Sequence, residues 1–504
     1  MDIKKAKKEI INTVKAYLMK DSSGEYKIPA IRQRPLLLIG PPGIGKTQVM
    51  EQVARELKTG LVAYTITHHT RQSAVGLPFI KEEEFNGVKY SVTEYTMSEI
   101  IASVYNKIRD SGLKEGILFI DEINCVSETL APTMLQFLQC KTFGNRKIPE
   151  GWIIVAAGNP QEYNRSVHEF DMVTLDRVRK IEIEAEYSVW SEYARENRIN
   201  PAILSYLELR PANFYKAEAD VDGLQFVTAR GWEDLSCLLD IYKELSIEAD
   251  EEIIYEFIQH REVAKDVAAY LDLYKKYEDN YGINDILKGN VPSLVYERIY
   301  RASFDERLSV VNLLLSGLGI YFDKTYAYHF IADQWFLFLK QFKEKADKDS
   351  YALYEKLYKD YEINIEKERK AGFYTKKQEE CYIKLLKLLL ENKPSVENTE
   401  EAFNQAKTGF TNFCGQLEEL EDKTSAVLEN AFDFMEAAFK NGQEMVVFVT
   451  GLAMDKKAVS YLSENKCDRY LKYNEELMAG TKKAQIISMI EKDEVYGKEH
   501  IREF

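Results

Sequence analysis

Residues 40–47 read Gly-Pro-Pro-Gly-Ile-Gly-Lys-Thr and follow directly on the apolar run Leu36-Leu37-Leu38-Ile39. Such a run is a buried strand, and it delivers the chain to a glycine-rich turn whose backbone N–H groups can surround phosphate oxygens. A helix starting near Gly45 aims its positive end at the same charge. Lys46 then reaches the β- and γ-phosphates, and the Thr47 hydroxyl is placed to ligate Mg²⁺. Gly40, Pro41, Pro42, Gly43, Ile44, Gly45, Lys46, Thr47 and Gln48 are therefore the candidate nucleotide-binding residues.

The surrounding pattern agrees with this constraint. From residue 35 to about 185, short apolar runs alternate with helical stretches, as expected of an α/β domain with a mostly parallel sheet. The expected strands are Leu36–Ile39, Leu61–Thr65, Ile117–Ile120, Trp152–Ala156 and Lys180–Glu184. Between the second and third, Asn86-Gly87 separates two strand-like arms within residues 79–96. Both turn residues tolerate positive φ, so this segment predicts a β-hairpin, followed by a helix from about Ser98 to Arg109.

A second motif completes the chemistry. Ile117-Leu-Phe-Ile-Asp-Glu122 is an apolar strand ending in two carboxylates. Asp121 at the strand tip would hold Mg²⁺ directly or through water, and Glu122 is placed to orient and activate an attacking water.

Length and composition set outer limits. At 504 residues the chain exceeds one core and should hold two or three domains. No apolar run approaches the length that spans a bilayer, and the lysines at 4, 5, 7 and 8 are followed by no secretory apolar stretch, so a cytoplasmic protein is expected. Ile3, Ile10, Ile11, Val14 and Leu18 instead recur at helical spacing, predicting a docked amphipathic helix. The net charge of −15 argues against a general grip on nucleic acid, which is won by neutralising phosphates with Lys and Arg. The six cysteines show no metal or redox spacing and are expected to be buried free thiols.

After residue 185 strand signals nearly vanish and helical patterns dominate. Residues 340–425 predict long solvated helices with a break near 392–398, and Met445–Thr450 is read as helix because its neighbours are helical. The aromatic run Tyr255, Tyr270, Tyr274, Tyr277 and Tyr281 is read as core packing.

Taken together, GPPGIGKT at 40–47, LFIDEIN at 118–124, VAAGNP at 155–160, TLDRV at 174–178 and FVTARGW at 226–232 resemble, in order, the motifs of the AAA+ ATPases. More narrowly they resemble the MoxR-like group, related to dynein and midasin modules. The resemblance covers residues 30 to about 250. It implies a P-loop α/β core with a parallel sheet, a helical lid and a mostly helical C-terminal region. The corresponding division is 1–29 as N-terminal helix and linker, 30–186 as nucleotide-binding domain with a hairpin insert near 79–96, 187–290 as lid, and 291–504 as interaction region. It also implies ATP and Mg²⁺ as ligands and a homo-oligomeric ring, usually a hexamer.

The same resemblance gives further residues their roles. Asn159 corresponds to the sensor-1 residue, a part suited to an amide that donates and accepts at once. Arg177 corresponds to the arginine finger that completes a neighbouring subunit's site, with Arg179 and Arg165 as alternatives. Arg230 corresponds to the sensor-2 arginine, although Ala229 stands where many members have Pro. The loop containing His68, His69 and Arg71 is placed either to contact substrate or to anchor itself. The implied activity is ATP hydrolysis that remodels or activates a protein partner, in MoxR-like systems often a von Willebrand A domain protein. Two alternatives stand beside it: a restriction-type NTPase that translocates nucleic acid, and a nucleotide-gated scaffold with little turnover.

Overall fold

The computed structural model describes residues 1–478, apart from 69–73, 75, 128, 144–145, 164–166, 168–169, 221–222, 346–349 and 396–398. The chain forms two compact units, each assembled from several stretches. Unit 1 comprises Met1–Trp190, Phe214–Trp232 and Tyr351–Lys387; unit 2 comprises Ser191–Asn213, Glu233–Ser350 and the described part of Leu388–Phe504.

Unit 1 is built on a parallel five-stranded sheet in the order β2-β5-β8-β1-β9. Its strands are β1 (Leu36–Ile39), β2 (Gly60–Thr65), β5 (Gly116–Asp121), β8 (Trp152–Gly158) and β9 (Arg179–Glu182). Alternation along each strand sends residues to two separate cores. Leu36, Leu38, Ile117, Phe119, Ile153 and Val155 join one, and Leu37, Leu118, Ile120, Ile154 and Ala156 the other. Helices cover both faces, which is why the central strands β1, β5 and β8 read as unbroken apolar runs. Truncating one such side chain, Leu37→Ala for example, costs ~2–5 kcal/mol.

On the first face lie α1 (Ile3–Tyr17) and α2 (Lys46–Leu57). The α1 helix starts at Asp2, whose side chain caps it by accepting from the Lys5 N–H at 2.8 Å. Ala6, Ile10 and Val14 are fully buried beside Val49 and Met50, while Lys4, Lys5 and Lys8 are exposed. On the other face lie α3 (Glu99–Ser111) and α4 (Ala131–Cys140). The short strands β6 (Thr142–Phe143) and β7 (Arg146–Lys147) pair beyond α4.

The expected hairpin forms as β3 (Pro78–Phe85) and β4 (Val88–Tyr95), paired antiparallel. Asn86 and Gly87 both take positive φ, 54° and 81°, as a two-residue turn between twisted strands requires. Its side chains are largely outside: Ile80, Phe85, Val88 and Tyr90 are all exposed.

A second hairpin, β10 (Lys216–Asp220) with β11 (Gly223–Val227), departs from the expectation that strands nearly end at 185. Lys-Ala-Glu-Ala-Asp is a run of helix-favouring residues, and only the pairing partner makes it a strand.

Unit 2 is helical. Two helices dominate, α13 (Phe304–Lys345, 42 residues) and α16 (Thr399–Phe439, 41 residues). They run antiparallel: Thr325 meets Thr424, their hydroxyls 3.1 Å apart, and four residues on His329 meets Glu421 at 2.7 Å. Val310, Leu314 and Phe322 pack with Leu428, Phe432 and Met435 in its core. Met445–Thr450 lies in the helix Gln443–Met454, as read. The cysteines are free thiols, but only Cys467 is buried; Cys140 and Cys237 are exposed. Among the described residues no helix is long and apolar enough to cross a membrane.

Candidate active site

Parallel registry brings the distant motifs together. Ile39 pairs with Gly158, and Ile120 with Ala156, so Gly40, Asp121 and Asn159 leave adjacent strands at the same, carboxyl-terminal edge of the sheet. Ligands of open α/β sheets bind at that edge.

The loop after β1 wraps the start of α2. Gly45 caps the helix at φ 90°, a conformation in which a β-carbon is strained. Gly40 is required for a different reason: a β-carbon there would lie 2.7 Å from the Ile183 carbonyl oxygen. Ile44 packs partly buried on the core beneath the loop, and Gln48 is exposed on the first turn of α2.

Lys46 is 8% exposed. Its Nζ donates to the carbonyls of Gly40 and Pro41, at 2.7 and 2.8 Å, and to Asn159 Oδ1 at 2.9 Å. Burial pushes its pKa down to about 8; the Asp121 carboxylate pulls it back up and the Arg230 guanidinium pushes it down. The lysine is thus in contact with both the loop and the amide expected to read the phosphate.

Thr47 Oγ1 donates to Asp121 Oδ2 at 2.9 Å. The other Asp121 oxygen accepts from the Glu122 N–H, also at 2.9 Å. Glu122 sits at φ 58°, a left-handed conformation rare for a residue with a β-carbon, immediately after β5 ends. Its Oε2 accepts from Thr67 Oγ1 at 2.8 Å.

Asn124 was not singled out from the sequence, yet it organises this edge. It is 5% exposed, its Nδ2 donates to the Asn159 carbonyl at 2.7 Å, and its Oδ1 accepts from the Asn159 N–H at 3.3 Å. Gly158 makes room for it, since a β-carbon there would lie 2.4 Å from Asn124 Oδ1. The signal was present: an amide inside the apolar motif LFIDEIN has no reason to be buried unless it has partners.

The segment carrying Arg230 reaches the same loop. Arg230, on the first turn of α8 (Ala229–Leu245, numbered after the helices Met172–Leu175, Tyr187–Glu196 and Pro201–Leu209), is exposed, and its backbone N–H donates to the Gly43 carbonyl at 3.1 Å. Tyr215, just before β10, donates its hydroxyl to the Pro42 carbonyl at 3.0 Å. Neither contact has a sequence signature.

The three candidate finger arginines separate. Arg179 is engaged within its own unit, donating to Thr13 Oγ1 at 2.8 Å and Glu9 Oε1 at 2.5 Å on α1. Arg177 follows the helix Met172–Leu175 and is exposed. Arg165 lies outside the described residues, as do His69 and Arg71, while the backbone of His68 belongs to the turn Ile66–His68.

Comparison with known proteins gives a family match over part of the chain. No curated protein matches it. Among solved structures it resembles a Cytophaga hutchinsonii protein described as a “putative ATPase”, with 14% sequence identity over 39% of this chain and 50% of that one, and a TM-score of 0.24. The model of the AAA domain, dynein-related subfamily, matches residues 35–178, a stretch that contains the phosphate loop, Asp121, Glu122, Asn124, Asn159 and Arg177. Over residues 35–178 the chain is thus similar to AAA domains of the dynein-related subfamily.

Proposed function

We propose that this chain is a MoxR-like AAA+ ATPase that hydrolyses ATP with Mg²⁺ to remodel or activate a protein partner. The observation that carries the reading is the convergence of Lys46 with Asn159 and of Thr47 with Asp121, each pair 2.9 Å apart at one edge of the sheet. Lys46 and the loop N–H groups bind the β- and γ-phosphates. Glu122 accepts a proton from the attacking water, and Asn159 positions that water against the γ-phosphate.

The Thr47 and Asp121 oxygens fit a small octahedral cation. A hydroxyl and a carboxylate are the hard oxygen donors that Mg²⁺ takes, and Thr47 and Asp121 would hold it. Bound there, Mg²⁺ would neutralise charge on the transferring phosphoryl group. Exposed Arg177 supports a shared site in a homo-oligomeric ring, and the exposed Ile80, Phe85, Val88 and Tyr90 on hairpin β3–β4 support contact with a protein partner, which we propose is one with a von Willebrand A domain.

The test is Glu122→Gln, assayed for ATP binding, phosphate release and oligomeric state. Binding persists, release stops and an oligomer accumulates. Normal turnover in this variant would sink the mechanism.

A further inference from the structure

Four successive carbonyls of the phosphate loop, those of residues 40–43, each accept a hydrogen bond. Lys46 Nζ holds Gly40 and Pro41, the Tyr215 hydroxyl holds Pro42, and the Arg230 N–H holds Gly43. The two sets differ in kind. The Lys46 contacts compete with phosphate, because the same ammonium must turn to the ligand. The Tyr215 and Arg230 contacts come from residues 214–232 and need not break when the site fills.

A trans peptide is planar, so fixing a carbonyl fixes the N–H of the next residue on the opposite side. Holding Pro42 O therefore sets the direction of the Gly43 N–H, and holding Gly43 O sets that of Ile44. These are donors of the loop that receives phosphate oxygens. Gly43 itself is at φ 72°, and Thr228 closes on it: a β-carbon at Gly43 would lie 2.9 Å from Thr228 Cβ. Tyr215 is held in turn by its ring, which meets Tyr163 edge-on at 6.3 Å and 77°.

We infer that Tyr215 is a positioning residue: through its hydroxyl it presets the phosphate loop for a nucleoside di- or triphosphate, coupling residues 214–232 to nucleotide affinity. This rests on the ATPase reading above. It assigns to Tyr215 no part in bond breaking, so its contribution is the same in ground and transition states. Such uniform binding appears in KM and not in kcat.

Tyr215→Phe isolates the hydroxyl, because the ring and its contact with Tyr163 are kept. One neutral hydrogen bond corresponds to a change of ~2–10-fold in an equilibrium constant. The full-length variant should bind ADP and a fluorescent ATP analogue, each with Mg²⁺, ~3–10-fold more weakly than wild type. KM should rise by the same factor with kcat unchanged, and thermal unfolding should stay close to wild type. Wild-type affinity in Tyr215→Phe, or a fall in kcat at constant KM, overturns the inference while the ATPase reading stands. If wild type itself neither binds nor hydrolyses ATP, both are overturned.

Discussion

Asn124 should govern turnover without touching the nucleotide. Replacing it with Leu keeps the branched shape beside Gly158 and removes both partners of the Asn159 backbone, at 2.7 and 3.3 Å. Each buried backbone group left unpaired costs ~1–3 kcal/mol, and Asn159 is only partly buried, so water recovers some of this. A net loss of ~2 kcal/mol, expressed as misplacement of the Asn159 side chain, corresponds to about a 30-fold lower kcat. KM for ATP should stay within about 3-fold, because the loop at 40–47 is untouched. The assay is steady-state phosphate release in a double-mutant cycle with Asn159→Ala. Asn124 acts through the Asn159 side chain, so Asn124→Leu should lower kcat in wild type and have no further effect on kcat once that side chain is gone. Additive losses, or a loss confined to KM, would refute the reasoning.

Two further predictions concern residues outside that pair. Arg177→Ala should lower turnover by ~10³ and recover partly when mixed with subunits that lack Lys46 but supply Arg177, whereas Arg179→Ala should leave turnover intact and weaken docking of α1 by no more than about 1 kcal/mol; phosphate release and thermal melting distinguish them, and the opposite pattern would reassign the finger. Lys141 is 9% exposed, its Nζ donates to Gln33 Oε1 at 3.0 Å, and burial pushes its pKa down to about 8. A lysine depressed in the folded state carries its full penalty below pH 8 and sheds it as pH rises toward the unfolded value, so wild type should gain on Lys141→Met by about 1.4 kcal/mol between pH 7 and pH 9. Guanidinium unfolding followed by the tryptophans of unit 1 measures this difference, and a gap independent of pH would show that the ammonium is solvated.

What the sequence revealed and what it concealed divide along physical lines. The central strands β1, β5 and β8 were visible because a sheet covered on both faces leaves unbroken apolar runs, and Asn86-Gly87 was visible because its turn chemistry is local. Lys46, Thr47, Asp121 and Asn159 were named from motifs, and their meeting follows from registry that those motifs imply only when taken in order. Asn124, Thr67 and Tyr215 were missed because each matters through a partner far along the chain: Tyr215 and Pro42 are 173 residues apart. The β10 strand was missed because its composition favours helix and its pairing alone overrides that preference. The grouping of residues 351–387 with unit 1 likewise has no local signature; the Lys107 ammonium bonding to the Ala371 carbonyl at 3.1 Å spans 264 positions.

The backbone at Glu122 carries a consequence for how such a protein changes under selection. A side chain held at φ 58° costs ~1–2 kcal/mol that glycine would not incur. Any search for hardier variants that scores folding alone is therefore drawn to this position, and the substitution it favours removes the carboxylate proposed to activate water. Durability and turnover are opposed at a single codon, so a glutamate persisting there in spite of its conformation would be a record of work done by the enzyme and not of the fold's own preference.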